Sequence, residues 1–184
     1  MIRYFLLASF TALAACSAPD RVAMIAQPST LELRPLVSSA MVRTVSLPSY
    51  AAAEEVSRET AAGLITSNED ILWADAPDRA VTLVIVESLA DILNTDVGPE
   101  PWPFLGLPDV SIDVRVTRMI AAADGAFHLS GQYYVGGDGI SYRNTAESFA
   151  FRVPMPDQSI SSIATSQAAA LRSLSEQIAG ELGR

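Results

Sequence analysis

The most regular alternation in the chain begins at Val110, where Val110, Ile112, Val114 and Val116 interleave with Ser111, Asp113, Arg115 and Thr117. Successive strand side chains point to opposite faces, so this pattern predicts a half-buried β-strand. Asp124-Gly125 then supplies a tight-hairpin signal. The next segment sets Phe127, Leu129, Tyr133 and Val135 against His128, Ser130, Gln132 and Tyr134. "GGDG", Gly136 to Gly139, turns the chain into a third strand carrying Phe149, Phe151 and Val153, which Pro154 and Pro156 end. The prediction is an antiparallel three-strand meander with one apolar face.

Two stretches follow helical spacing instead. From Pro77 to Asn94, Val81, Val84, Ile85, Leu89 and Ile92 recur on one face, and Leu83, Val86 and Leu93 widen the stripe. Glu87, Asp91 and Asn94 mark a narrow wet edge, which predicts a helix largely buried against a sheet. Asp75 and Asp78 around Pro77 suit its start. From about Ser159 to Leu182, Ile160, Ile163, Leu171, Leu174, Ile178 and Leu182 form a second stripe, with small Ala168 to Ala170 allowing close approach and Gly183 as a stop.

The remaining segments are less periodic. Met41 to Leu47 reads as a Val-rich strand stopped by Pro48, and Gly63 to Asp75 as a short strand running to Trp73. Residues 50–62, rich in Ala and Glu, read as helix by propensity alone. The stretch after residue 16, mixing Pro, Ser and Ala, reads as a tether leading into an edge strand near Thr30 to Leu33. Val97 to Asp109 holds four prolines and two glycines and is expected to be irregular, yet it carries Trp102, Phe104, Leu105 and Leu107. Two readings of that loop stand open: its aromatics fold back onto the core, or they form an exposed patch that meets a partner or a lipid tail. The length and the apolar content of 49% predict one domain with a real core.

Composition narrows the chemistry. The formal net charge is −9, without the basic footprint that a phosphate backbone requires, so nucleic acid is excluded as a partner. All 12 basic residues are arginine. Without lysine there is no Schiff base and no G-x-x-x-x-G-K-[ST] phosphate loop, so the chain is not itself a P-loop ATPase. One histidine and one cysteine exclude a His/Cys metal cluster and an internal disulfide; no metal and no cofactor is expected. His128 would need a nucleophile and an orienting carboxylate to act as a base, and no G-x-S-x-G or H-E-x-x-H motif is present. "GGDGIS" lies between two strands rather than before a helix, so it reads as a hairpin loop and not as a phosphate cradle. No catalytic residues are expected.

The single cysteine has a definite setting. Residues 1–15 present one positive charge, an apolar run and then small residues, the three parts of a signal peptide, too short to cross a bilayer as a helix. Leu13, Ala14, Ala15 and Cys16 resemble a bacterial lipobox, in which the thiol receives a diacylglyceryl group and becomes the new N-terminus. Two or three acyl chains anchor stably where one binds reversibly. The alternative is an ordinary signal peptide that leaves an idle thiol. Removal of residues 1–15 leaves 11 basic against 21 acidic residues, a formal −10, so the acyl chains at Cys16 must supply the affinity for membrane lipid. Residues 16–28 are then the lipidated N-terminus and tether. By resemblance to sorted lipoproteins, Ser17 rather than Asp after the cysteine implies the outer membrane in preference to the inner.

Leu47-Pro48-x-Tyr50 after a strand, Trp73-Ala74 leading into a helix that ends Ser88-Leu89-Ala90, the strand from Val110, the strand holding Phe149, and a terminal helix with Ala168 to Leu171 and Ile178-Ala179 together resemble the ABC-type transport auxiliary lipoproteins of the PqiC-like (YmbA-like) kind. The match covers about Ser46 to the end. The resemblance implies strand rather than helix for Val56 to Thr60, pairing with Ile65 to Trp73, and a single α/β domain of the α+β type over residues 29–184, a largely antiparallel sheet with two main helices packed on it. It implies structural roles for Leu47, Pro48, Tyr50 and Trp73. It further implies a non-enzymatic role beside an MCE-domain protein and ABC transporter permease and ATPase subunits, moving lipids or other hydrophobic molecules across the envelope. Trp102, Phe104 and Leu105 are the candidate contacts with partner or cargo, and a homo-oligomeric ring is left open. An envelope-assembly lipoprotein independent of any transporter is the alternative.

Overall fold

The computed structural model describes residues 18–137 and 142–184. Leu13, Ala14, Ala15 and Cys16 lie outside them, as do Asp138 and Gly139 of the expected glycine turn. In chain order the elements are β1 (Asp20–Val22), β2 (Ser39–Val42), α1 (Ser49–Ala52), β3 (Glu55–Glu59), β4 (Ile65–Trp73), α2 (Pro77–Leu93), β5 (Asp96–Pro99), β6 (Val110–Ala121), β7 (Ala126–Gly136), β8 (Thr145–Pro154) and α3 (Ile160–Leu182). They form a mixed α/β domain: one open eight-stranded sheet with the two long helices on one face.

The meander is the backbone of the sheet. β6 pairs with β7 and β7 with β8, both antiparallel and along nearly their whole lengths. The other edge of β6 is shared. β2 runs parallel to its start, Ala40 opposite Val110, and the chain continues beside β6 through the Ser46–Arg115 bridge. After α1, β3 meets the far end of the same edge, Arg58 opposite Ala121. From these two attachments the sheet branches, to β5 through β2 and to β4 and then β1 through β3. The short attachments are parallel, whereas the β3–β4 hairpin and the meander, which carry most of the pairing, are antiparallel.

Alternation in β6 breaks once, for a structural reason. Val110, Ile112, Val114 and Val116 face the core, then a bulge between Val116 and Arg118 shifts the parity so that Met119 and Ala121 face it instead. The extra residue leaves the strand bent while its apolar side stays inward. Gly131 lies opposite Val116 at the bulge, and there is no room there for a side chain. From above, α2 contributes Val81, Ile85, Leu89 and Leu93, and α3 contributes Leu171, Leu174, Ile178 and Leu182, all at most 1% exposed. Each such side chain contributes about 2 kcal/mol by leaving water.

Four expectations change. Residues 16–28 are not a free tether over their described part: Asp20–Val22 form β1 beside β4, and Val22, Met24 and Ala26 pack on the core, with Met24 Sδ accepting from Gln167 Nε2 at 3.1 Å. Thr30 to Leu33 is extended but joins no strand. It crosses the ends of the two helices, where Leu33 N–H donates to Ile92 O and Leu36 N–H to Leu182 O. The strand expected over Met41 to Leu47 is confined to Ser39–Val42 and the later bridge. Finally, Val97 to Asp109 is not wholly irregular. Asp96–Pro99 forms β5 at the sheet edge, where a proline is tolerated because no further strand needs its N–H. Residues 50–62 hold only the short α1, and Glu55–Glu59 pairs with Ile65–Trp73 as the family resemblance implied.

Candidate functional site

The Leu-Pro-x-Tyr stretch works as a corner. The Pro48 carbonyl accepts from Ala51 and Ala52 N–H at 2.8 and 3.0 Å, which closes α1 and turns the chain from β2 toward β3. Tyr50 packs on the core, and its hydroxyl accepts from Met119 N–H at 3.2 Å, tying the corner to the bulged part of β6. Leu47 packs on the same core. Trp73 is 6% exposed, ends β4 opposite Val22, and donates its backbone N–H to Glu54 O. These four residues hold the branch of the sheet together and present no reactive group to solvent.

The solvent face of the meander is polar and its charges are paired. Arg115 bonds Asp113 at 2.8 Å, Arg43 approaches the same carboxylate at 3.9 Å, and the Arg115 guanidinium lies 5.1 Å from the Tyr134 ring centroid. The Arg115 hydrogen bond holds the Asp113 carboxyl below its ordinary range and raises the guanidinium in turn. His128 Nε2 stands 3.1 and 3.0 Å from the two Asp124 oxygens, and Arg152 Nε reaches that carboxylate at 3.1 Å. Burial opposes ionisation of Asp124, but the bonds from Arg152 and His128 outweigh it and lower its pKa. The cluster pins the β6–β7 turn, with no hydroxyl bonded to the imidazole among the described residues. On the core side, burial pushes the Tyr133 phenol up to about 12, so it stays neutral at ordinary pH.

Apolar surface collects at the end of the molecule where β6 begins. Pro103 and Phe104 fold back over Gly98 of β5, and Trp102 meets Phe104 edge to face with ring centroids 4.9 Å apart. Phe104 is 46% exposed, Leu105 and Leu107 almost wholly so, and neighbouring Leu36 is half-exposed. Leu36, Val37, Met41, Trp102, Leu107 and Tyr142 line an open cleft of about 830 Å³. Asp109 braces its rim by accepting from Ser38 N–H at 2.7 Å while its own N–H donates to Ser39 Oγ. The indole N–H of Trp102 is shut off from solvent and has no acceptor among the described residues. Trp102 is half-buried in the cleft wall and is not part of the core, while Phe104, Leu105 and Leu107 stand out. These side chains form an exposed apolar cluster on a chain of formal net charge −9.

Residues 24–179 match the model of the ABC-type transport auxiliary lipoprotein component. The chain belongs to that family. Its structural neighbours agree in fold. A crystal structure of an uncharacterized protein aligns over 90% of this chain and 99% of its own at TM-score 0.73 and 21% identity. A DUF330-family protein from Xanthomonas campestris aligns over 87% and 92% at TM-score 0.71 and 11% identity. No curated protein matches the sequence. Membership in this auxiliary lipoprotein family fits a non-enzymatic component of the cell envelope. Among the described residues, no helix is long and apolar enough to cross a membrane.

Proposed function

We propose that this auxiliary lipoprotein is held by acyl chains on Cys16 at the periplasmic side of the outer membrane and serves an MCE/ABC-type system that moves lipids or other hydrophobic molecules across the envelope. The observation that carries the reading is the family match over residues 24–179. Its work is binding. The anchor sets where the domain stands, and the Trp102–Leu107 loop with its cleft offers an apolar contact for an MCE-domain protein, a permease or ATPase subunit, or the cargo itself. ATP hydrolysis belongs to the transporter, since a chain without lysine has no P-loop of its own.

The test is capture of the detergent-solubilised lipoprotein from its own envelope, with mass spectrometry of the mature N-terminus. Co-purification of MCE and ABC subunits with a diacylated Cys16 is the expected result. Capture must fall when Leu105 and Leu107 are both changed to Asp. Recovery of the lipoprotein with neither subunit would favour an assembly role apart from any transporter.

A further inference from the structure

Leu64 and Ile65 are 65% and 45% exposed at the tip of the β3–β4 hairpin, far in the chain from the Trp102 loop. From Thr60 to Asn68 there is no charged residue, although the chain as a whole carries a formal −9. The turn is partly closed by its own hydrogen bonds. Thr60 N–H donates to Leu64 O and Gly63 N–H to Thr60 O, both at 2.8 Å, Leu64 N–H reaches Thr60 Oγ1, and Gly63 takes the left-handed φ of 75° that closes such a loop. A tip that is apolar, uncharged and internally hydrogen-bonded is one that can leave water at little polar cost.

The sheet places this tip beside the point where the N-terminal chain enters. β1 is parallel to β4, with Asp20 opposite Ile71 and Val22 opposite Trp73, so the residues before Asp20 come from the side of Ile65. Ile65 lies six positions before Ile71, roughly 20 Å along the strand. Cys16 lies four residues before Asp20 and is within about 14 Å of it by any path. β3 also runs past the end of β6, Arg58 beside Ala121, so the tip stands at the end of the sheet away from the Trp102 loop. Of the charges at the foot of the hairpin, Glu59 is paired with Arg118 at 2.8 Å, while exposed Arg58, opposite Thr66, has no ion pair among the described residues.

We propose that the β3–β4 tip is a membrane-contact element that lowers Leu64 and Ile65 into the lipid interface next to the acyl anchor. The inference rests on the reading of Cys16 as acylated, and its occupant is a bilayer surface rather than a protein.

The acylated protein, purified from membranes and reconstituted in phosphatidylcholine vesicles, tests this with Leu64→Trp and Leu105→Trp variants. Brominated phosphatidylcholine should quench Leu64→Trp at least about twofold more than the wild type, as for a group 5–10 Å into the interface. Leu105→Trp should show no added quenching over the wild type, which carries Trp73 and Trp102. An unquenched Leu64→Trp on a protein whose Cys16 is shown acylated by mass spectrometry overturns the tip contact and leaves the anchor intact. An unmodified Cys16 removes the anchor and the inference with it. Protection of Leu64→Trp that requires added envelope protein instead of lipid assigns the tip to a protein partner and overturns the proposal.

Discussion

A Cβ added at Gly131 would collide with the Arg115 carbonyl oxygen and lie 2.8 Å from Phe149 Cζ. The bulge of β6 and the ring of Phe149 close on this position from two sides, so the substitution demands backbone movement rather than a rotamer change. Gly131→Ala should destabilise the fold by about 1–3 kcal/mol, the usual cost of overpacking, read as a lower urea midpoint. Asp157 shows the opposite kind of residue effect, one of charge. It accepts from Ser159 N–H at 2.9 Å and Ser162 Oγ at 2.5 Å ahead of α3, and bonds from Ser159 and Ser162 hold its pKa at about 2. An unfolded Asp titrates at about 3.9, so the folded state binds the proton less readily. The stabilisation is therefore complete above about pH 4 and lost as pH falls toward 2. Urea midpoints measured between pH 2 and 6 should fall less steeply for Asp157→Asn than for the wild type; an unchanged slope would assign the acid sensitivity elsewhere, to Asp113 or Asp124.

At the scale of elements, the Trp102 loop depends on a glycine in a strand. Alanine at position 98 would put its Cβ 2.8 and 2.9 Å from the Pro103 ring and 3.2 Å from Phe104, so the loop must lift while β5 keeps its pairing to β2. Gly98→Ala should raise acrylamide quenching of Trp102 with little change in thermal midpoint, and a common shift of both would mean that the loop and the sheet melt as one. The same region shows what a sequence can and cannot reveal. β6, β7, α2 and α3 were legible because each buries one face over many residues, and a long periodic signal survives local noise. β5 was hidden by its Gly-Pro composition, and β1 by its length of three residues; both exist because a longer strand offers them an edge. Residues 22–33 do carry apolar alternation, Val22, Met24, Ala26 and later Leu31 and Leu33, but they spend it on the core without becoming one continuous strand. The exposed loop could be suspected from aromatics set among prolines, whereas its cleft could not, since the walls come from segments spread between Leu36 and Tyr142.

The whole molecule has two ends, and β6 sets the distance between them. Its 12 residues span about 40 Å, with the Trp102 loop near the start and the β3–β4 tip beyond the finish. With β1 beginning at Asp20, the stretch free to act as a tether shrinks to the few residues after Cys16. On the proposed acyl anchor, a link this short would do more than retain the protein: it would keep the tip against the lipid at high effective concentration and point the loop away from the membrane. Twelve Gly/Ser residues inserted after Ser17 would raise the root-mean-square reach to roughly 20–25 Å and relax that orientation. The extended protein should stay in the membrane fraction, since the acyl chains are untouched, and should still capture its partners in detergent, since the loop is untouched. Bromolipid quenching of Leu64→Trp should fall toward the wild-type background, and complementation of a deletion strain should weaken with it. Full quenching on the long tether would show that the tip holds the bilayer by its own affinity. Full complementation without quenching would show that retention at the membrane suffices for function and that orientation does not matter.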